Sequence, residues 1–145
     1  MKIVVDTNIV FSLLLNSNGS IGDIFFNSDE QLEFYSCSYL KHEIKKHWGK
    51  LKSISRLNED DLQVSYDLII NRIKFISEEI IPLEVWLSSE IIADRIDSND
   101  IDFIALTDFI GATLWTGDKV LYNGLTEINF KSVTNTAELL QIRKK

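Results

Sequence analysis

The sequence KIVVDTN, residues 2–8, places a carboxylate directly after a wholly apolar run. Residues 3–5 are β-branched and uninterrupted by polar side chains, which predicts a strand buried on both faces. A second apolar stretch, residues 9–15, begins three residues after Asp6 and predicts a helix. The Asp6 carboxylate therefore stands between a buried strand and the helix that follows it.

Strand-like and helix-like patterns alternate through the rest of the chain. Strands separated by helices predict an α/β protein, with a parallel sheet and helices on both of its faces. A length of 145 residues suits a single domain, residues 1–145. After the opening strand at 2–6, strands are predicted at 32–37, within 74–82, at 112–117 and, as a short last one, over 128–133. Helices are predicted at 8–16, 21–29, 39–51, 58–73, 83–96, 100–111 and 135–145.

Composition narrows the class of protein. Hydrophobic residues make up 45% of the chain and charged residues 26%, as in ordinary globular proteins. No apolar run approaches the roughly 20 residues needed to cross a bilayer, so no membrane partner is expected. Cys37 is the single cysteine and the N-terminus does not resemble a signal peptide, so we expect a cytoplasmic protein. One cysteine and two histidines do not suit a structural zinc site.

The net charge of −7 conceals a basic segment, residues 41–56 (KHEIKKHWGKLKSISR). This segment, hereafter the basic strip, has six Lys or Arg residues and one acid, Glu43, which leaves −12 for the remainder. A local basic surface matters more than total charge for docking a phosphate backbone. The same pattern is also typical of a solvated helix face.

Four acidic residues stand where elements of the predicted sheet begin or end. Asp6 and Asp118 follow strands, Asp100 begins a helix, and Glu43 lies in the helix after the second strand. In open α/β sheets, ligands bind beyond the carboxyl ends of the strands. We therefore expect these side chains to gather at one edge of the sheet.

Each acid also has a purely structural explanation. Asp6 and Asp100 can satisfy free N–H groups at helix starts. Glu43 can pair with a basic neighbour on its own helix, and Asp118 can belong to an ordinary turn. Gathered at one sheet edge, however, the carboxylates repel one another and are driven towards protonation unless a cation lies between them. Mg²⁺ or Mn²⁺ suits such a set of oxygen ligands, and can activate water and bridge a phosphodiester.

Two stretches, IVVDTNIVFSLLL (3–15) and DSNDIDFIALTDFIGATLWTGDKVL (97–121), carry a family resemblance. Together with a Glu in the helix after the second strand, they resemble the PIN domain, the magnesium-dependent ribonuclease fold of VapC-type toxins. The resemblance covers almost the whole chain. It implies a three-layer α/β/α fold with four or five parallel strands, an acidic pocket that cleaves RNA, a small antitoxin as a possible partner, and a homodimer.

The resemblance also implies roles for individual residues. Asp6, Glu43, Asp100 and Asp118 match the family's four acids, with Asp6, Asp100 and Asp118 as metal ligands. We expect Lys46 and Lys50 of the basic strip to bind RNA, because they lie on the same side of the predicted helix as Glu43. Residues 53–96 show no motif and are expected to carry substrate and partner specificity. The predicted supporting residues are Thr7, Asn8, Thr116 and, with an ambiguity over which of the two faces the pocket, Asp97 and Asp102.

Three functions fit these observations to different degrees. A metal-dependent ribonuclease, either a toxin or an RNA-processing enzyme, fits best because all four acids are present. A non-catalytic RNA-binding or scaffolding relative would more usually have lost an acid. A phosphatase with an aspartyl nucleophile needs a second acid two residues after the first, and that position is Asn8.

Overall fold

Residues 1–144, which the computed structural model describes, form a five-stranded parallel sheet flanked by α-helices. This confirms the predicted α/β/α class with a parallel sheet. The strands are β1 (Lys2–Val5), β2 (Glu33–Cys37), β3 (Ile73–Ile76), β4 (Thr113–Trp115) and β5 (Val133–Thr134). The helices are α1 (Thr7–Leu15), α2 (Ser20–Asn27), α3 (Ser38–Lys46), α4 (Trp48–Ser55), α5 (Glu59–Ile70), α6 (Leu83–Asp94), α7 (Ile101–Ile110), α8 (Lys119–Glu127) and α9 (Thr136–Lys144).

The strand order is β3-β2-β1-β4-β5, which puts the opening strand of the chain at the centre. Ile3 pairs with Phe34 on one side and Thr113 on the other, and residues 3–5 are fully buried. The wholly apolar run is thus explained by burial on both faces, since helices cover both sides of a parallel sheet.

The register of the two central strands decides where the first acid lies. Val5 pairs with Trp115, so the next residues, Asp6 and Thr116, lie side by side at the carboxyl edge. Neighbouring strands are about 4.8 Å apart. Asp6 and the loop that leads to Asp118 are therefore brought together by β1–β4 pairing.

Two local predictions were wrong, and one helix was not anticipated. The helix expected over 39–51 breaks at His47 into α3 and α4, and Gly49 just beyond the break weakens a continuous helix. The segment after Asp118 was not predicted to be helical but forms α8, in spite of Gly124 in its interior. Residues 128–130 are not a strand, and only Val133–Thr134 pairs with β4. Residue 145 of the predicted last helix lies outside the described residues.

None of the individual helices between residues 1 and 144 is long and apolar enough to cross a membrane. The pair α1 and α2, bent by 105°, meets the length and composition requirement only when the two are taken together.

Gly22 is packed so closely that a side chain there should destabilise the protein. A Cβ at this position would lie 1.9 Å from the backbone oxygen of Ser17, so the backbone itself must shift. We expect Gly22→Ala to lower the free energy of unfolding by about 1–3 kcal/mol, measured by thermal or urea unfolding. Gly49→Ala is the control: its Cβ would meet nothing within 4 Å, so up to about 1 kcal/mol of stabilisation is expected. A Gly22→Ala protein as stable as the parent would contradict the close approach.

Candidate active site

Asp6 is a buried carboxylate at the centre of the sheet edge. It is 3% exposed and is the N-cap of α1, where its Oδ1 accepts a hydrogen bond of 3.0 Å from the Ile9 amide. The Thr116 side chain lies beside it, as the register of β1 and β4 requires, and acts to lower its pKa. The structural explanation for Asp6 is therefore correct, but a cap on Oδ1 leaves the second oxygen for another partner.

Asp118 repeats this arrangement after β4. Its Oδ1 accepts from the amides of Val120 and Leu121 at 2.9 and 3.2 Å and caps α8. The Asp118 amide donates to Thr116 Oγ1 at 3.0 Å. Thr116 thus lies beside Asp6 and accepts the hydrogen bond from the Asp118 amide, so one residue adjoins both acids.

Glu43 reaches the same edge from α3, the helix that follows β2. The Thr7 hydroxyl donates a 2.5 Å hydrogen bond to Glu43 Oε1. Thr7 is buried at the first turn of α1, so this bond holds the carboxylate from a rigid position. The pairing of Glu43 with a basic neighbour, considered from the sequence, is not among the ion pairs of residues 1–144.

Asp100 is presented by a tight turn rather than by a helix interior. It is the last residue of the 3₁₀ turn Ser98–Asp100 and immediately precedes α7. Asp97 caps that turn, with Oδ1 accepting from the Asn99 amide at 2.9 Å. The turn thereby places two carboxylates, of Asp97 and Asp100, beside the end of β1.

These residues line one pocket of about 180 Å³, hereafter the acid pocket. It brings together the four predicted catalytic acids and three of the predicted supporting residues, Thr7, Asn8 and Asp97. The predicted RNA-binding residues Lys46 and Lys50 are exposed and outside its lining. A larger cavity of about 590 Å³ lies against α1 and α5, but its lining holds no carboxylate. The acid pocket is lined by Asp6, Thr7, Asn8, Glu43, Asp97, Asn99, Asp100, Phe103 and Asp118.

The lining also answers the ambiguity over Asp97 and Asp102. Asp97 lines the acid pocket and Asp102 does not. Two further lining residues, Asn99 and Phe103, were not anticipated. The only sequence feature that could have indicated Asn99 is its position between Asp97 and Asp100. Phe103 has the pattern of an ordinary core residue of α7.

The electrostatics of the acid pocket oppose full ionisation. Burial is the largest effect on Asp6 and raises its pKa from 3.8 to about 6, although the neighbouring Thr116 side chain acts in the opposite direction. Burial and the neighbouring carboxylates, Asp97 first among them, raise the pKa of Asp100 to about 7. A bound cation would relieve both effects because it stabilises the charged forms.

The donor set of the acid pocket fits a hard divalent cation. Its ionisable lining residues are all Asp or Glu, whose carboxylate oxygens are the ligands that Mg²⁺ and Mn²⁺ prefer. Within the described chain, no three of them bring one oxygen each to within 4.8 Å of one another. In these side-chain positions an ion with bonds of about 2.1 Å contacts at most two of the carboxylates directly, so the others would hold it through waters that Mg²⁺ usually retains.

A different cluster meets that distance, formed by Cys37, Glu78 and Asp102. Its chemistry suits a metal less well. Burial, with Glu78 and Asp102 nearby, raises the pKa of the Cys37 thiol to about 12, so the thiol is protonated at neutral pH. Both oxygens of Glu78 accept backbone hydrogen bonds, from the Ser38 and Tyr39 amides at 2.9 and 3.0 Å. Asp102 thus lies in a structural cluster at the start of α3.

Comparison with known proteins agrees with the fold and adds a family. The model of the PIN domain family matches residues 4–141. One similar solved structure is that of VapBC2 from Rickettsia felis bound to a DNA fragment from their promoter. The match has a TM-score of 0.73 and 16% sequence identity, and covers 93% of this chain and 98% of that chain. At this identity the likeness bears on the fold. A search of curated proteins gave no match.

Proposed function

The chain belongs to the PIN domain family, and from this premise we propose that it is a magnesium- or manganese-dependent endoribonuclease, the toxin of a toxin–antitoxin pair. PIN domain proteins are in general nucleases. The observation that carries the proposal is the acid pocket, in which the carboxylates of Asp6, Glu43, Asp100 and Asp118 line one cavity. Repulsion among them favours a divalent cation as their common partner.

We assign the residues separate roles in RNA hydrolysis. Asp6, Asp100 and Asp118 hold the cation, which when bound supplies activation of water and neutralisation of the phosphodiester charge. Thr116, which lies beside Asp6 and accepts a hydrogen bond from the Asp118 amide, positions the two acids relative to each other. Glu43 has Oε1 occupied by the Thr7 hydroxyl, so we assign to Oε2 the orientation of the attacking water and the acceptance of its proton.

The proposal is tested by RNA cleavage with and without a divalent cation. The purified protein should cut single-stranded RNA in Mg²⁺ or Mn²⁺, lose activity in EDTA, and regain it when excess Mg²⁺ is added. Ca²⁺ is a useful comparison, because it has the same charge but prefers more ligands and longer bonds than Mg²⁺. Cleavage that persists in EDTA, or no cleavage and no RNA binding under any of these conditions, would refute the proposal.

The partners and location are part of the same proposal. An antitoxin partner is supported by the likeness to a VapBC complex. Residues 53–96 carry exposed apolar side chains on α6, namely Leu83, Leu87 and Ile91, which supports a homodimer. Sedimentation at the mass of one chain would refute the dimer.

A buried thiol at Cys37, with no second cysteine to pair with, supports a cytoplasmic location.

The basic strip gives a prediction about RNA binding. Lys46 ends α3, three residues after Glu43, whereas Lys50 lies in α4, beyond the break at His47, and so is not on the same helix as Glu43 as predicted. Both lysine side chains are exposed. An acidic pocket repels phosphate, so a nearby cationic surface must hold the backbone. We expect Lys46→Ala with Lys50→Ala to weaken RNA binding and to lower the log–log salt slope by about 0.7 for each lysine that neutralises a phosphate.

The matched control for this prediction is Lys2→Ala with Lys131→Ala. It removes the same charge, but Lys2 is the first residue of β1 and Lys131 precedes β5, so both lie at the amino edge of the parallel sheet, opposite the acid pocket. Fluorescence anisotropy with labelled RNA at several salt concentrations measures both quantities. An equal loss of RNA affinity and of salt slope in the two double variants would mean that the basic strip acts only through net charge.

A further inference from the structure

A second pocket adjoins the acid pocket and shares Asp118 with it. It has a volume of about 240 Å³ and lies beyond the carboxyl ends of β4 and β5, where α8 and α9 begin. We call it the β5 pocket. Its lining includes Asp118, Lys119, Tyr122, Asn135 and Thr136.

The strand order places α3, the acid pocket and the β5 pocket one after another along the carboxyl edge. Because the order is β2-β1-β4-β5, the carboxyl edge presents in turn α3 with Glu43, then Asp6, then Asp118, then the β5 pocket. A polynucleotide that is held at α3 and crosses the acids continues towards the β5 pocket. A nucleotide in the β5 pocket would therefore be the one next to the bond being cut.

The walls of the β5 pocket are fixed by hydrogen bonds behind them. The Tyr122 hydroxyl donates to Glu138, and the Trp115 indole N–H donates to Thr136 Oγ1 at 3.1 Å. Asn135 Oδ1 accepts from the Glu138 amide at 2.9 Å, which leaves the NH₂ branch of the same side chain as a donor. The pocket is thus built before any ligand enters.

The lining matches the parts of a nucleotide. Lys119 is exposed and supplies a cation for a phosphate, the Asn135 amide supplies a donor for a base edge or sugar, and Tyr122 supplies a half-buried aromatic ring. Aromatic rings bind single-stranded bases by stacking, irrespective of sequence. Resting on the proposed ribonuclease function, we propose that the β5 pocket binds one nucleotide of single-stranded RNA adjacent to the scissile phosphate, with Lys119 on the phosphate and Tyr122 against the base.

The test compares two changes in the β5 pocket with matched changes elsewhere, in steady-state cleavage of single-stranded RNA in Mg²⁺. Lys119→Ala is expected to raise KM several-fold and to lower the salt slope by about 0.7, while Lys131→Ala, the same change at the opposite sheet edge, should do neither. Tyr122→Leu is expected to raise KM about ten-fold. Phe109→Leu, an exposed aromatic at the far end of α7, is its control. In both pocket variants kcat should change much less than KM, because these residues act in binding.

The outcomes separate this proposal from the one it rests on. If the parent protein cleaves RNA and both pocket variants match their controls in KM and salt slope, the β5 pocket is not a subsite, and the ribonuclease function stands. If the parent protein neither cleaves nor binds RNA, both proposals fail. Thermal unfolding of Tyr122→Leu reports any destabilisation from the absence of its bond to Glu138. If that variant does not fold, Lys119→Ala decides the question, because Lys119 is exposed and its replacement should not affect folding.

Discussion

Replacement of Asp6 by Asn is expected to reduce magnesium-dependent RNA cleavage by at least about 10³-fold and to leave the protein folded. A bound divalent cation contributes several kcal/mol to a phosphoryl transition state, and each 1.36 kcal/mol is ten-fold in rate. Asn keeps the shape of the side chain and removes the charge that holds the cation. It is also as good an N-cap as Asp, so the bond from the Ile9 amide that begins α1 can be kept.

The matched control is Asp108→Asn, which makes the same chemical change at an exposed position. Asp108 lies near the end of α7, about 12 Å along the helix from Asp100, which precedes its first residue. Both variants and the parent are purified identically and assayed on the same RNA, with circular dichroism to confirm folding. If Asp6→Asn cleaved as fast as Asp108→Asn, Asp6 would not be a metal ligand. If it unfolded, its capping role would be the essential one.

The parts of this site that local sequence could predict are those fixed by strand ends. A fully apolar strand such as residues 3–5 must lie inside a parallel sheet, and the residue after it must emerge at the carboxyl edge. The same reasoning places Asp118 after β4. The structural explanations and the chemical one were not alternatives, since Asp6 and Asp118 each cap a helix through Oδ1 while lining the acid pocket.

The parts that sequence could not predict depend on turns and on packing between distant segments. The sequence alone does not show whether Asp97 or Asp102 faces the acid pocket. The 3₁₀ turn that separates them depends on a side-chain cap and on packing. The interior glycine of α8, Gly124, counts against a helix, but a Cβ there would lie 2.9 Å from Ile96. Close contact with a residue 28 positions away explains this glycine, and no local pattern reports such a contact.

The second large effect is expected from pH, first on the protein without metal. The pKa of the Asp6 carboxyl rises from its ordinary value of 3.8 to about 6 in the folded protein. Below about pH 4 the carboxyl is protonated in both states and carries no penalty. As the pH rises to about 6 the folded protein retains a proton that the unfolded chain has lost, so stability falls, by about 3 kcal/mol in all for this group. Asp100 acts in the same direction, with its window extending to about pH 7.

Binding of Mg²⁺ should reverse this trend, because the ion must displace the same protons. For each carboxyl that is protonated at the working pH, the dissociation constant falls up to ten-fold per pH unit until the pKa is passed. With the pKa of Asp6 at about 6 and that of Asp100 at about 7, we expect Mg²⁺ to bind at least about 100-fold more tightly at pH 7 than at pH 5.

Titration calorimetry gives the affinity, and repeating it in buffers of different ionisation enthalpy counts the protons released. As the pH rises, the melting temperature in EDTA should fall, whereas the melting temperature in Mg²⁺ should stay constant. An affinity that is constant from pH 5 to 7, with no protons released, would mean that these two carboxylates are not the ligands. Asp108→Asn should follow the parent protein throughout, whereas Asp6→Asn should melt higher than the parent in EDTA near pH 8, since it lacks the charge whose burial is costly.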